Sequence, residues 1–137
     1  MSASMTTDLR IPVAVDADIV SARQQGRALA TDLGFSPGNA TLIATAISEL
    51  ARNILLYAGA GEILLAELDG AGRRGIRVVA RDSGPGIPDL QQALQDGFST
   101  SRRLGLGLPG VRRLMDEFEI DTRVGLGTTV VVKKWAR

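Results

Sequence analysis

Residues 46–54 read Ala-Ile-Ser-Glu-Leu-Ala-Arg-Asn-Ile, and this stretch combines two patterns that fit one helix. Its apolar residues continue a series with the spacing of one helix face: Ile43, Ile47, Leu50 and Ile54. Glu49 and Asn53 lie four residues apart and share the neighbouring face. We therefore predict a helix from about Gly38 to Ala58 that packs on a core and presents a carboxylate and an amide beside it.

The pair Glu49 and Asn53 has the chemistry of a metal and phosphate site. A carboxylate and an amide at this spacing can hold a hard cation and steer a proton acceptor together. Mg²⁺ prefers oxygen ligands and keeps some of its waters, so one amide oxygen and substrate phosphates suffice to bind it. An ordinary solvent-exposed helix face with an i,i+4 polar pair would have the same spacing. This pair alone therefore does not distinguish a metal and phosphate site from a solvated surface.

A second feature is the loop Asp82-Ser83-Gly84-Pro85-Gly86-Ile87-Pro88, which follows an apolar strand. A carboxylate at a strand end can accept a hydrogen bond from an exocyclic amine. Gly84 and Gly86 let the backbone approach a flat ligand or adopt a positive φ. The same composition also suits an ordinary tight turn.

A third feature is Leu104-Gly105-Leu106-Gly107-Leu108-Pro109-Gly110, which matches the spacing G-x-G-x-x-G. A dinucleotide site of that type should follow a strand, and the preceding residues 97–103 do not resemble one. We instead predict a glycine-hinged lid whose backbone N–H groups, with the next helix start, meet phosphates. Arg102 and Arg103 lie in this lid and have the pattern of solvated charges. Thr128, after the turn Gly125-Leu126-Gly127, is expected to place a hydroxyl beside Asp82.

The remaining patterns predict a mostly antiparallel, mixed sheet with helices on one face, an α+β two-layer sandwich within a single domain of residues 1–137. Helices are expected at 17–33, with Asp16 or Asp18 as cap, at 38–58, at 89–95, and from Gly110 to near Phe118. Strands are expected at 9–15, 62–68, 75–81, 119–124 and 128–133, with a hairpin turn at 69–72.

Composition excludes several classes of function. Aromatic residues make up 4% of the chain and the net charge is +1, so a nucleic-acid surface is not expected. The chain has no histidine and no cysteine, which excludes phosphohistidine chemistry and thiolate metal sites within it. No apolar run approaches the ~20 residues of a membrane span, and the N-terminus lacks signal-peptide character. We expect a cytoplasmic protein.

The order of these motifs resembles the Bergerat-type ATP-binding fold of gyrase, heat-shock chaperone, histidine-kinase and DNA-repair ATPases, from about Thr41 onward. Within that superfamily, four stretches are similar to the RsbT-type serine/threonine kinases, the switch kinases of bacterial stress-signalling complexes (stressosomes): residues 46–53, 95–100, 104–111 and 115–118. With the N-terminal strand and helix, the likeness covers nearly the whole chain.

The resemblance implies a role for each motif. Glu49 would be the general base, Asn53 would ligate Mg²⁺, and Asp82, supported by Thr128, would accept a bond from the adenine amino group of ATP. The adenine pocket and phosphate lid would be formed by a further set: Gly84, Gly86, Ile87, Gly105, Leu106, Gly107 and Leu108. The family phosphorylates Ser or Thr of STAS-domain proteins, and its released form can activate a PP2C-type phosphatase.

Members of the same superfamily also have other functions. A histidine kinase needs a phosphoacceptor histidine, and a gyrase-type ATPase needs a larger transducer domain than 137 residues allow. An anti-sigma factor kinase that binds a sigma factor directly has the same fold and chemistry as the RsbT-type switch kinases. Only its surface residues distinguish it from them. A non-catalytic, ATP-loaded interaction module is the alternative from another class. The presence of both Glu49 and Asn53 favours catalysis.

Overall fold

The computed structural model describes residues 9–86 and 107–136, which form five strands and three helices. In chain order these elements are β1 (Leu9–Val13), α1 (Asp16–Asp32), α2 (Pro37–Tyr57), β2 (Gly61–Gly70), β3 (Arg73–Asp82), α3 (Gly107–Leu114), β4 (Glu117–Arg123) and β5 (Gly127–Trp135). None of the helices in these two stretches is long and apolar enough to cross a membrane. The short helix predicted at 89–95 lies outside the described residues.

The helix predicted from Gly38 to Ala58 is confirmed as α2. Ser36 caps it by accepting the backbone N–H of Asn39 at 3.1 Å, and Pro37 occupies the first turn, where it leaves no hydrogen bond unmade. The predicted apolar face is buried in the core to 3% exposure or less: Ile43, Ile47, Leu50 and Ile54. Helix α2 therefore fixes Glu49 and Asn53 relative to the sheet.

The strands form one sheet in the order β1-β2-β3-β5-β4, and every neighbouring pair in the described residues is antiparallel. The predicted α+β two-layer arrangement, a mostly antiparallel sheet with helices on one face, is confirmed, and within the described strands no parallel pair occurs. The reason is the connections: β2–β3 and β4–β5 are hairpins, and β1 is joined to β2 through two helices, which returns the chain in the opposite direction. In the β2–β3 turn, Ala71 and Gly72 both have positive φ, as a two-residue hairpin loop requires.

Two predicted boundaries are wrong for identifiable reasons. Strand β1 ends at Val13, not Val15, because the Asp18 carboxylate accepts the N–H groups of Ala14 and Val15 at 2.8 and 3.1 Å. Asp18 thus acts from the first turn of α1, whose N-cap is Val15. The last helix ends at Leu114 rather than near Phe118.

At that point the backbone turns into the sheet. The N–H of Asp116 donates to the carbonyl of Lys133 at 2.9 Å, and the Lys134 ammonium donates to the carbonyl of Leu114 at 2.8 Å. These bonds draw the chain onto β5 and start β4 at Glu117, which makes Phe118 a strand residue that packs against the core.

Candidate functional site

A recess opens between the helix layer and one end of the central strands. It has an empty volume of about 340 Å³, open to solvent, and among the described residues it is lined by Leu50, Asn53, Ile54, Tyr57, Ala80, Asp82, Leu108, Thr128 and Val130. These residues come from α2, β3, α3 and β5. Most are apolar and a few are polar, which is the usual character of a site for a flat organic ligand.

Asp82 and Thr128 form the polar end of the recess. They are direct partners in the β3–β5 ladder, so the predicted position of Thr128 beside Asp82 is confirmed. The Asp82 Oδ1 accepts the N–H of Gly84 at 2.9 Å, and the Thr128 hydroxyl lies 2.8 Å from that of Thr122 on β4. The Asp82 side chain is thus oriented by the loop that follows it, and that of Thr128 by the neighbouring strand.

The glycines after Asp82 are required by close packing of the loop against the protein itself. A Cβ on Gly84 would lie 2.5 Å from the Cβ of Ala58, at the end of α2. Gly86 is buried at φ +81°, and a Cβ there would lie 2.6 Å from the carbonyl oxygen of Arg123. These glycines let the loop after Asp82 approach the end of β4 and the end of α2.

Glu49 lies one helical turn from Asn53 and is 5% exposed. Its Oε2 accepts a hydrogen bond from Arg52 Nη1 at 2.6 Å, and its Oε1 lies 3.3 Å from the backbone N–H of Gly107, the first residue of α3. The structure therefore places Glu49 at the start of α3, where the sequence predicts contacts with phosphates. A carboxylate and a backbone donor stand together at that place.

The structure locates most of the predicted site residues in one region. Asn53, Asp82, Leu108 and Thr128 line the recess, and Glu49 and Gly107 lie in contact beside it. Gly84 and Gly86 lie in the loop that follows Asp82, and the N–H of Gly84 donates to the Asp82 carboxylate. Ile87, Gly105 and Leu106 are outside the described residues, and so are Arg102 and Arg103.

Sequence reasoning missed several lining residues that simple spacing would find. Tyr57 lies four residues after Asn53 on the same helix face, Ala80 lies two before Asp82, and Val130 lies two after Thr128 on the same faces of their strands. Arg52 was also given no role, although its spacing of three from Glu49 allows an ion pair. Its contact with Glu49 is part of the site.

The donors available for a metal are few. Within residues 9–86 and 107–136 there is no group of three or more acidic, histidine or cysteine side chains that could hold an ion by itself. The amide of Asn53 and the buried carboxylate of Glu49 nevertheless provide oxygen atoms beside the recess. This set fits Mg²⁺ that enters with substrate phosphates and keeps waters, and it does not fit a resident metal bound by protein ligands alone.

A charged cluster on the opposite face of the sheet is separate from the recess. There the Glu62 carboxylate accepts hydrogen bonds from Arg81 and Arg10. These bonds, that of Arg81 first, hold the pKa of Glu62 below its ordinary value. Since Arg81 directly precedes Asp82, this cluster fixes the end of β3 from behind.

Comparison with known proteins gives concordant matches. The model of a family described as the histidine kinase-like ATPase domain matches residues 13–134. The serine/threonine-protein kinase RsbT of Bacillus subtilis is 53% identical over 120 residues, which cover 88% of this chain and 90% of that protein. An anti-sigma F factor of Geobacillus stearothermophilus is 33% identical over 103 residues, covering 69% of this chain and 68% of that one.

Among solved structures, that of the RsbU and RsbW domains of a Mycobacterium tuberculosis protein has a TM-score of 0.62 with 22% identity. The match covers 96% of this chain and 33% of the mycobacterial one. At this identity the likeness concerns the fold alone, and it agrees with the arrangement of helices and strands described above.

Proposed function

The chain belongs to the histidine kinase-like ATPase family, in the branch of the RsbT-type serine/threonine-protein kinases, and from that membership we propose its reaction and partners. The kinase transfers the γ-phosphate of ATP to a serine or threonine hydroxyl of a STAS-domain protein. The transfer operates a bacterial stress-signalling partner switch. The observation that carries this proposal is the meeting of Asn53, Asp82 and Thr128 in one recess, with Glu49 beside it at the start of α3.

We assign recognition of the base to the polar end of the recess. The Asp82 carboxylate accepts a hydrogen bond from the adenine amino group, and the Thr128 hydroxyl supports it from the next strand. The apolar walls formed by residues such as Leu50 and Val130 contact the faces of the ring. A mainly apolar cavity with a few oriented polar groups supports this assignment.

We assign the phosphates to the space between Asn53 and the start of α3. The backbone N–H groups at a helix N-terminus favour anions, and Gly107 is the first residue of that helix. Asn53 supplies an amide oxygen for Mg²⁺. Held there, Mg²⁺ would supply neutralisation of the phosphate charge during transfer. Gly84 and Gly86 shape the loop on the other side, and Ile87, Gly105, Leu106 and Leu108 complete the proposed nucleotide site.

In the proposed transfer, the hydroxyl oxygen of the substrate forms a bond to the γ-phosphorus while the bond to the β–γ bridging oxygen breaks. ADP leaves with that oxygen, and the hydroxyl proton passes to the Glu49 carboxylate. Because such transfers depend on positioning and charge neutralisation more than on covalent help, the contribution of the base is expected to be smaller than that of the phosphate contacts.

We also propose the setting of the reaction. Residues 1–137 act as one kinase domain in the cytoplasm, where ATP is available. The partners are STAS-domain scaffold or antagonist proteins, and the released kinase activates a PP2C-type phosphatase by binding it. The named relative that supports this setting is the RsbT kinase of Bacillus subtilis.

A second candidate is a kinase that binds a sigma factor directly. The 33% identity to an anti-sigma F factor favours it, since the alignment with that relative covers about two thirds of both chains. We rank it second because the RsbT likeness is stronger, at 53% over 88% of the chain. A binding module without catalysis ranks third, since Glu49 and Asn53 are both present.

The test is label transfer from γ-labelled ATP with Mg²⁺ into a lysate of the source cell. The wild-type chain, Glu49→Ala and a control, Glu119→Ala, are compared, because Glu119 is an exposed acid on the distant strand β4. We expect one or two discrete labelled proteins that survive acid, with labelling lost in Glu49→Ala and kept in Glu119→Ala. If no protein is labelled although a separate measurement confirms ATP binding, the chain acts as a binding switch and not as a kinase.

A further inference from the structure

The two oxygens of the Glu49 carboxylate have different partners. Oε2 is 2.6 Å from Arg52 Nη1, while Oε1 is 3.3 Å from the N–H of Gly107. The first distance is that of a charge-assisted hydrogen bond, and the second exceeds the usual range for N–H donors. An incoming hydrogen-bond donor, such as a substrate hydroxyl, can therefore replace the contact of Oε1 far more readily than that of Oε2.

Burial makes the partner of Oε2 necessary. The side chain of Glu49 is 7% exposed, and a buried carboxylate without a counter-charge is strongly disfavoured in its charged form. The Arg52 side chain is 34% exposed, so it is partly accessible to solvent while it holds the acid. Both residues lie on α2, three positions apart, and the helix fixes their relative placement.

We propose that Arg52 is a positioning residue for phosphotransfer, which binds Glu49 Oε2 and leaves Oε1 as the atom that receives the substrate proton. This inference rests on the proposed function, since it specifies how the proposed base is aimed. Oε1 points toward the first residue of α3, where the phosphates are assigned. Arg52 itself touches neither the hydroxyl nor the phosphate in this scheme.

The proposal separates two quantities that a contact of Arg52 with ATP would change together. If Arg52 acts through Glu49, its loss lowers kcat and leaves the affinity for nucleotide unchanged. If Arg52 binds a phosphate, its loss weakens nucleotide binding as well. Misplacement of a catalytic group by about 1 Å costs up to ~100-fold in rate, which sets the expected size of the effect.

The experiment uses the STAS-domain protein that the wild-type chain labels in the lysate, purified as acceptor, with ADP as the binding probe. Arg52→Gln is expected to lower kcat by about 10- to 100-fold, with the KM for ATP and the Kd for ADP within about twofold of wild type. Arg52→Lys keeps the positive charge and should recover part of that kcat. Arg23→Gln, an exposed arginine on α1, is the matched control.

Thermal unfolding of each variant checks that the fold persists, and Arg52→Lys serves if Arg52→Gln does not fold. The double variant Glu49→Gln/Arg52→Gln should be no slower than Glu49→Gln alone, because Arg52 acts only through the acid. Unchanged or increased kcat in Arg52→Gln, or a parallel loss of ADP affinity, overturns the inference. A fully active Glu49→Gln would overturn the assigned base instead, so the two failures are distinct.

Discussion

Asp82 and Thr128 are direct partners at one end of the β3–β5 ladder, and both side chains line the recess. Cross-strand partners on one face of an antiparallel pair have their Cβ atoms about 4.5–5.5 Å apart. A carboxylate and a hydroxyl at that separation can contact one edge of the same ring. The hydroxyl of Thr122 on the next strand extends the pair into a short polar row.

The first prediction concerns the choice of base. ATP presents an amino donor where GTP presents a carbonyl acceptor, and an unpaired acceptor opposite Asp82 costs about 1–3 kcal/mol. We therefore expect ADP to bind about ten- to hundredfold more tightly than GDP, measured by calorimetry. Asp82→Asn offers a donor in place of one oxygen and should narrow that ratio.

The control for this prediction is Asp121→Asn, which removes an exposed carboxylate on β4 and should keep the wild-type ratio. Equal affinity of the wild-type chain for ADP and GDP would mean that Asp82 does not read the base.

The relation of Asp82 to Thr128 was accessible from the sequence, whereas the environment of Glu49 was not. Asp82 ends an apolar strand and Thr128 lies near the start of another, so the motifs themselves suggested their meeting. Likewise the spacing of Ile43 and Ile47 identified the buried face of α2. Such predictions succeed because helix and strand periods fix which residues share a face.

The contacts of Glu49 depend on the tertiary arrangement. Its approach to Gly107 follows from how α3 packs against α2, and no local pattern encodes that packing. The antiparallel pairing of β1 with β2 likewise depends on the pair of helices that joins them. The end of the last helix was missed because a bond from Asp116 to Lys133 on β5 ends it.

The second prediction concerns the glycine that begins β5. Gly127 has φ +126°, and a Cβ there would lie 2.2 Å from the carbonyl oxygen of Asp82. Gly127→Ala must therefore shift the strand end that carries Asp82, and we expect it to lower the free energy of unfolding by about 2–4 kcal/mol. Urea denaturation followed by circular dichroism measures this loss.

Gly125 provides the matched control for that substitution. It too has a positive φ, +83°, but a Cβ on it would meet nothing within 4 Å. Gly125→Ala should therefore cost only the conformational penalty, about 1 kcal/mol. Similar losses in the two variants would show that backbone conformation, rather than contact with Asp82, requires the glycine at 127.

The third prediction concerns acid stability. Hydrogen bonds from Arg81 and Arg10 lower the pKa of Glu62 from its ordinary value of 4.5, so the folded chain releases this proton more readily than the unfolded chain. The resulting stabilisation is present above pH 4.5 and is lost as the pH falls through the lowered folded pKa. Because both arginines are more than half exposed, we expect it to amount to less than about 1 kcal/mol.

Glu62→Gln tests this assignment, with Glu119→Gln as an exposed control on β4. The free energy of unfolding is measured in urea from about pH 7 to about pH 3. Glu62→Gln should be less stable than wild type at neutral pH and should approach it in acid. A constant difference at every pH would mean that the carboxylate charge is not the source of the stabilisation.

The fourth prediction concerns the amide of Asn53 and Mg²⁺. Asn53 lines the recess one turn beyond Glu49, and no cluster of three acidic or other metal-binding side chains stands nearby in the described parts of the chain. Mg²⁺ held mainly by phosphates and water loses much of its attachment when the single amide ligand is removed. Asn53→Ala should therefore abolish most of the gain in ATP affinity that Mg²⁺ gives the wild-type chain.

Calorimetric titration with ATP, in Mg²⁺ and in chelator, measures that gain directly and does not depend on turnover. Asn39→Ala removes a half-buried amide at the other end of α2 and should leave the gain unchanged. If Asn53→Ala weakens binding equally with and without Mg²⁺, by about tenfold for a lost hydrogen bond to a charged group, the amide contacts ATP itself. If the substitution weakens ATP binding only when Mg²⁺ is present, the amide is a metal ligand, because removing a ligand of the ion affects ATP affinity only when the ion is bound.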